Sequence, residues 1–90
     1  MHIFEFEWDD ANVAHLVRHG LDPDDVDTML ESRITVMRNK QTGSGDYKFI
    51  GLGRGGIPIT IVVARTAVPG RWRPITGRRS NDAERRSYEH

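Results

Sequence analysis

The sequence contains no cysteine. Disulfide bonds and thiolate metal sites are therefore excluded, and we expect the protein in a reducing compartment, the cytoplasm. Long apolar runs are also missing, because the longest, Ile57 to Ala64, is only as long as a strand, whereas a membrane helix needs about 20 apolar residues. The N-terminus lacks a basic leader before an apolar stretch, so we expect no signal peptide and no membrane partner. Ninety residues predict one domain, residues 1–90.

The basic and acidic residues are equal in number, thirteen of each, but they are separated along the chain. Residues 1–32 hold nine acidic residues and one arginine, a net charge of −8. Residues 65–90 hold seven arginines and three acidic residues, a net charge of +4. This asymmetry predicts a polyanionic partner for the basic part, a pairing of the two parts, or both.

Capping signals predict a first helix after a short acidic strand. Asp9 or Asp10 can accept hydrogen bonds at its start, and the helix should run to about His19, where Gly20 supplies a left-handed residue. Helical spacing predicts two faces, an apolar stripe and a polar face. The apolar stripe contains Ala11, Ala14, Val17 and Leu21, and the polar face contains Asn12, His15 and His19.

The same signals predict two further helices. Asp22 and Pro23 start one that runs to about Glu31. Asn81, with Glu84 three residues later, forms a capping-box signature for a short helix that reaches Tyr88.

Strand patterns occupy most of the remaining sequence. Ile57 to Ala64 is apolar on both faces, which is typical of a central strand, whereas Pro74 indicates an edge strand or a bulge. The order predicts an α+β fold in which two N-terminal helices and a C-terminal helix pack on an antiparallel sheet of about four to five strands. The predicted strands are 3–7, 34–38, 47–52, 57–64 and 71–77. We expect Phe4, Phe6 and Phe49 to be buried, and Trp8 and Trp72 to be partly buried.

Three segments, FEWDDANVAHLVRHG, YKFIGLGRGG and ITGRRSNDAERRSYE, together resemble the BrnT family of small bacterial toxins. Members of that family run roughly FEWDxxKxxxNxxKHG, then an aromatic-rich strand before a Gly-Arg turn, then ISARxxxxxERRxYE. The resemblance implies a RelE-like fold, a ribonuclease activity that shuts down translation, and a DNA-binding antitoxin as the cognate partner, in a heterotetramer of two copies of each. The family lysine is replaced by Asn12 and the family asparagine by His15.

RNA cleavage without a metal or other cofactor needs a proton acceptor, a proton donor and fixed cations around the phosphate. Histidine exchanges protons near neutral pH, which makes His19 a candidate, although it can equally end its helix as a cation. Arg78 and Arg79 are the candidate phosphate cations, and because adjacent strand residues point to opposite faces, we expect at most one of them to reach the scissile phosphate. The resemblance to BrnT toxins favours Arg78, which occupies the most regular position of the family motif. Glu84 is a candidate catalytic carboxylate, with its capping role as the alternative.

Further residues are candidates for RNA binding, through stacking, hydrogen bonding or charge. Arginines of this kind are also often solvated or paired with acidic neighbours. The histidine pair on the first helix lacks a visible third ligand, so we expect no metal site. The RNA-binding candidates are Trp8, Asn12, His15, Arg73, Arg85 and Tyr88.

Two hypotheses follow: a metal-independent endoribonuclease toxin that cleaves RNA, and a non-catalytic interaction or transcription-regulatory module that keeps the toxin fold.

Overall fold

The computed structural model describes residues 1–40 and 45–89, and within them a sheet of five strands carries three α-helices. The α+β class expected from the sequence is thus confirmed. Two short 3-10 turns, Met29–Glu31 and Arg54–Gly56, complete the regular structure. In chain order the elements are β1 (Glu5–Phe6), α1 (Asp10–Arg18), α2 (Pro23–Thr28), β2 (Thr35–Arg38), β3 (Tyr47–Leu52), β4 (Pro58–Arg65), β5 (Arg71–Arg79) and α3 (Asp82–Glu89).

The strands lie in the order β1-β5-β4-β3-β2. Neighbours from β2 to β5 are antiparallel, but β1 runs parallel to β5, with Glu5 opposite Arg71 and Phe6 opposite Trp72. The expectation of a wholly antiparallel sheet was therefore wrong, and the sheet is mixed. The cause is topological, because β1 and β5 are joined through both N-terminal helices and three strands rather than through a hairpin.

Pro74 lies on β5, which has a neighbouring strand on each side, but β1 pairs only with Arg71 and Trp72, so at Pro74 the β1 side of the strand is unpaired. The bulge alternative is confirmed. Val62 pairs with Thr76 and Val63 pairs with Pro74, which leaves Ile75 as the extra residue of the bulge. The prediction that β4 is a central strand is also confirmed.

The first helix begins and ends as predicted. Asp9 caps it in a reciprocal capping box with Asn12, His19 is the C-terminal cap, and Gly20 follows with a φ of 84°. The predicted buried face was wrong, because Leu16 is fully buried while Val17 is 53% exposed. Its Asn12 to Leu16 row faces the sheet, since the Asn12 amide donates to the Pro74 carbonyl on β5.

The apolar core lies between α1, α2 and one sheet face, which we call the inner face. Phe6 and Phe49 are buried there as predicted, and Trp72 is buried more deeply than expected, at 6% exposure. Phe4 is 70% exposed, against the prediction, because it precedes the two-residue strand β1 and stacks on His2 instead. The core residues are Phe6, Leu16, Leu21, Val26, Met29, Phe49, Ile59, Ile61, Val63 and Trp72.

Gly77 fixes the close approach of α1 and β5. A Cβ atom there would lie 2.8 Å from Ile61 Cγ2 and 3.1 Å from both Leu16 and Leu21 side chains. The side of β5 on which a Gly77 side chain would lie therefore faces the inner core. The neighbouring Arg78 side chain lies on the opposite side of the sheet, which we call the outer face. There α3 packs, with Tyr88 and Glu84 buried. Within residues 1–40 and 45–89, no helix has the length and apolar character to cross a membrane.

Candidate functional site

The outer face of the sheet carries an open cavity of about 280 Å³, which we call the outer cleft. Strand register builds most of it from two adjacent cross-strand rows. Lys48, Val62 and Thr76 are paired across β3, β4 and β5, and Thr60 is paired with Arg78 in the next row. His19 closes one side from the end of α1. The lining residues are His19, Lys48, Thr60, Val62, Thr76, Gly77 and Arg78.

Two histidines lie at the side of the outer cleft formed by α1. The rings of His15 and His19 are 4.9 Å apart, as expected for residues one helical turn apart. His15 Nε2 is 3.0 Å from the Thr76 hydroxyl, and its Nδ1 is 3.4 Å from an Arg18 nitrogen. His19 is exposed and lines the cleft directly. The pair thus offers one anchored imidazole and one accessible imidazole.

Arg78 forms the strongest polar contact of the site. Its two terminal nitrogens bind the Glu84 carboxylate in a bidentate pair at 2.6 and 2.9 Å, and the Arg78 side chain remains 50% exposed. Lys48 Nζ lies 4.0 Å from Glu84 Oε2, the oxygen that also accepts from the second Arg78 nitrogen. Hydrogen bonding to Glu84 raises the pKa of Arg78 above its usual value. Two cations and one carboxylate therefore give this end of the cleft a net charge of +1.

Glu84 is anchored by its helix as well as by Arg78. Its Oε1 accepts from the Asn81 backbone N–H, and the Asn81 side chain accepts from the Glu84 N–H, so the predicted capping box is confirmed. Burial raises the pKa of the Glu84 carboxyl, but hydrogen bonds from Arg78, Asn81 and Thr60 outweigh it and hold the pKa below its usual range. A carboxylate held ionised in this way is a poor proton acceptor at neutral pH. The structure therefore favours the capping role over the catalytic one.

The other candidate arginines lie outside the outer cleft. Arg79 faces the opposite side of the sheet, near Leu21 and Asp25. Arg73 pairs with Asp9 and lies 3.5 Å from a Glu7 oxygen, while Arg85 pairs with Asp82 one turn earlier on α3. Hydrogen bonding to Arg73 lowers the pKa of the Asp9 carboxyl. The hypothesis that the C-terminal arginines converge around one phosphate is therefore corrected to Arg78 alone.

Three further candidates serve the fold where they lie. Asn12 is 3% exposed and donates its amide hydrogens to the Glu7 and Pro74 carbonyls. Trp8 is half-buried against the core, and its indole N–H donates to Asp27. The polar groups of both residues thus face protein partners, and the RNA contacts proposed for Trp8 and Asn12 stay predictions.

Tyr88 is likewise placed away from the outer cleft. Its hydroxyl donates to the Arg33 carbonyl, and the Arg33 guanidinium lies 4.4 Å from the centre of its ring. Tyr88 is buried, and its ring packing against the sheet and its RNA contact stay predictions.

Sequence reasoning missed three residues that line the outer cleft: Lys48, Thr60 and Thr76. The alternation of Tyr47-Lys48-Phe49 already places the lysine opposite two aromatic residues. What the sequence lacked was the register that sets Lys48 beside Thr76 and near Arg78. Among the described residues, no group of three or more histidine and carboxylate side chains is arranged to hold a metal ion.

Comparison with known proteins adds no further assignment, because the chain matches no protein-family model and no curated protein is significantly similar to it in sequence. The likeness to BrnT toxins stays a prediction drawn from the motifs quoted above.

Proposed function

We propose that this protein is a metal-independent endoribonuclease whose active site is the outer cleft. The observation that carries the proposal is the meeting of an accessible imidazole, His19, with the cations Lys48 and Arg78 in one cavity. These three residues come from α1, β3 and β5, so only the folded chain brings them together.

The chemistry needs no group beyond the RNA and these side chains. The 2′-oxygen attacks the adjacent phosphorus, a bond forms between them, and the bond from phosphorus to the 5′-oxygen breaks. The 2′-hydroxyl proton passes to His19, and the leaving 5′-oxygen takes a proton from an imidazolium or from water. A positioned proton acceptor of this kind accelerates such a step by about 10² to 10⁴.

The cations stabilise the charge that develops on the phosphate oxygens. Arginine presents parallel N–H groups that match phosphate, and lysine adds a compact charge. Removing one fixed donor of this sort lowers the rate of such a reaction by about 10²- to 10³-fold. With a net charge of +1, the outer cleft suits a single phosphate of a single-stranded RNA rather than an extended backbone.

In the cell we propose that this cleavage inhibits translation and that a DNA-binding antitoxin neutralises the protein in a heterotetramer. This part of the proposal is supported by the motif resemblance to BrnT toxins. It predicts growth arrest on expression of the wild type and its absence for Arg78→Ala.

The test is cleavage of single-stranded RNA by the purified protein, with and without EDTA. We expect the wild type to cleave equally in both, His19→Asn to lose about 10²-fold or more, and Arg78→Ala to lose about 10²-fold or more. Arg86→Ala is the matched control, because it removes an exposed arginine from α3 outside the cleft. RNA left intact by the wild type from pH 5 to 9 would refute the proposal.

A non-catalytic protein-interaction or transcription-regulatory module that keeps the toxin fold is the second candidate, and one observation favours it. Three hydrogen bonds from Arg78 go to Glu84 and to the Arg79 carbonyl, so three of the five guanidinium donors are engaged. The replacement of the family lysine by Asn12 does not favour the non-catalytic candidate, because position 12 lies seven residues, about 10 Å along α1, from His19. RNA left intact by the purified protein at every pH from 5 to 9 would select this candidate.

A further inference from the structure

Glu84 holds the position that an anionic ligand of the outer cleft would take. Its two oxygens receive parallel N–H bonds from Arg78 at 2.6 and 2.9 Å, and Oε2 lies 4.0 Å from Lys48 Nζ. An arginine fork binds carboxylate and phosphate oxygens with the same bidentate geometry. The carboxylate is thus an internal counterpart of the phosphate that the cleft is proposed to bind.

The solvent exposure of the three side chains indicates how an exchange would proceed. The Glu84 side chain is 8% exposed and is tied to the Asn81 N–H, whereas the side chains of Arg78 and Lys48 are 50% and 23% exposed. The cations can therefore turn toward solvent while the carboxylate stays in its helix. The Arg78 side chain thus lies between open solvent and the Glu84 carboxylate, which is held by the helix cap.

We propose that Glu84 is an internal competitor for the phosphate subsite: it retains Arg78 and Lys48 in the free protein, and a substrate phosphate replaces it on both cations. This inference builds on the proposed function, because it names the subsite and its regulation within the same cleft. The opposite role for Glu84 would be that of a positioning residue, which holds Arg78 ready for the ligand. The two roles predict opposite effects of removing the charge.

The variant Glu84→Gln separates the two roles. Glutamine keeps an oxygen for the Asn81 N–H, because glutamine also serves in a capping box, but it lacks the negative charge. Glu89→Gln is the matched control, since it removes the same charge from an exposed position of the same helix. The probe is a short single-stranded RNA with 2′-O-methyl groups, which cannot be cleaved by 2′-hydroxyl attack.

We expect Glu84→Gln to bind this probe more tightly than Glu89→Gln. The gain should be at least about fourfold at low salt, the effect of one unit charge about 5 Å away in water. Equal or weaker binding, or no binding by any variant, would overturn the inference. Circular dichroism establishes that each variant is folded.

A second variant protects the test against loss of α3. Glu84→Asp keeps a carboxylate for the cap, as Asp25 does for Asp22 at the start of α2, but withdraws it from Arg78 by one methylene. It should also bind the probe more tightly than Glu89→Asp, which likewise keeps its charge, and weaker binding counts against the competitor role. Cleavage of unmodified RNA is measured separately. Tighter binding without cleavage would refute the nuclease and retain the phosphate subsite.

Discussion

Asn12 provides the sharpest test of how the fold uses a polar residue. Its side chain is 3% exposed and makes three hydrogen bonds: Nδ2 donates to the Glu7 carbonyl at 2.8 Å and the Pro74 carbonyl at 3.0 Å, and Oδ1 accepts from the Asp9 N–H at 2.9 Å. These bonds join the end of β1, the start of α1 and β5. The variant Asn12→Ala leaves all three backbone groups without these partners.

The bond to the Pro74 carbonyl is buried, whereas the bonds to the Glu7 carbonyl and the Asp9 N–H are partly buried. A buried group left unsatisfied costs about 1 to 3 kcal/mol and a partly buried one less, so Asn12→Ala should lose about 2 kcal/mol. A chain of this length has a stability of about 5 to 13 kcal/mol, so the loss is a considerable fraction of the total. In urea, with a slope near 1 to 1.5 kcal/mol per molar, the midpoint should fall by about 1.3 to 2 M.

The assay is equilibrium unfolding followed by tryptophan fluorescence, with Val17→Ala as the control on the same helix. Val17 is 53% exposed, so its variant should stay within about 0.5 kcal/mol of wild type. A loss below about 1 kcal/mol for Asn12→Ala would refute the hydrogen-bond argument. A loss of RNA cleavage at unchanged stability would support the direct RNA contact first predicted for this residue.

Three other outcomes can be measured with the same protein. Leu16→Ala should lower the free energy of unfolding in urea by about 2 to 5 kcal/mol, because Leu16 is fully buried against the sheet. A change near zero would mean that the Leu16 face of α1 does not pack against the sheet. Because the folded-state pKa of Glu84 lies below its unfolded value, its contribution to stability is complete above about pH 4.3 and is lost as pH falls through the folded pKa. The urea midpoint should therefore drop on acidification below that pH, and less so in Glu84→Gln; an equal drop in both would contradict the assignment. If one phosphate held by the two cleft cations is the whole RNA contact, log affinity for single-stranded RNA should fall with log salt at a slope of about −0.7, and a slope near −3 would indicate further contacts.

The parts of the fold that depend on neighbouring residues were predictable from the sequence. Asp9 with Gly20, Asp22 with Pro23, and the Asn81 capping box each fix a helix end through bonds within a few residues. The buried face of α1 was not, because the hydrophobic pattern counts Asn12 as polar. Its amide becomes an inward group only when the carbonyl of Pro74, 62 residues away, is there to accept a hydrogen bond.

The candidate site shows the same division between local and distant information. The sequence placed Arg78 on the last strand and His19 at a helix end, and strand alternation separated Arg78 from Arg79. It could not give Lys48, since the neighbours of that residue depend on the register of three strands. Nor could it show that Arg73 pairs with Asp9, because the two residues are 64 positions apart.

The parallel pairing of β1 with β5 sets a condition on synthesis. Phe6 and Trp72 lie side by side in the sheet although 66 residues separate them, so the core closes only after β5 has been synthesised. Contacts of such long sequence separation form slowly and late. A nascent chain in which β5 is still inside the ribosome has neither an accessible Arg78 nor a closed sheet, so the cleft forms only after residues up to Arg78 have left the ribosome.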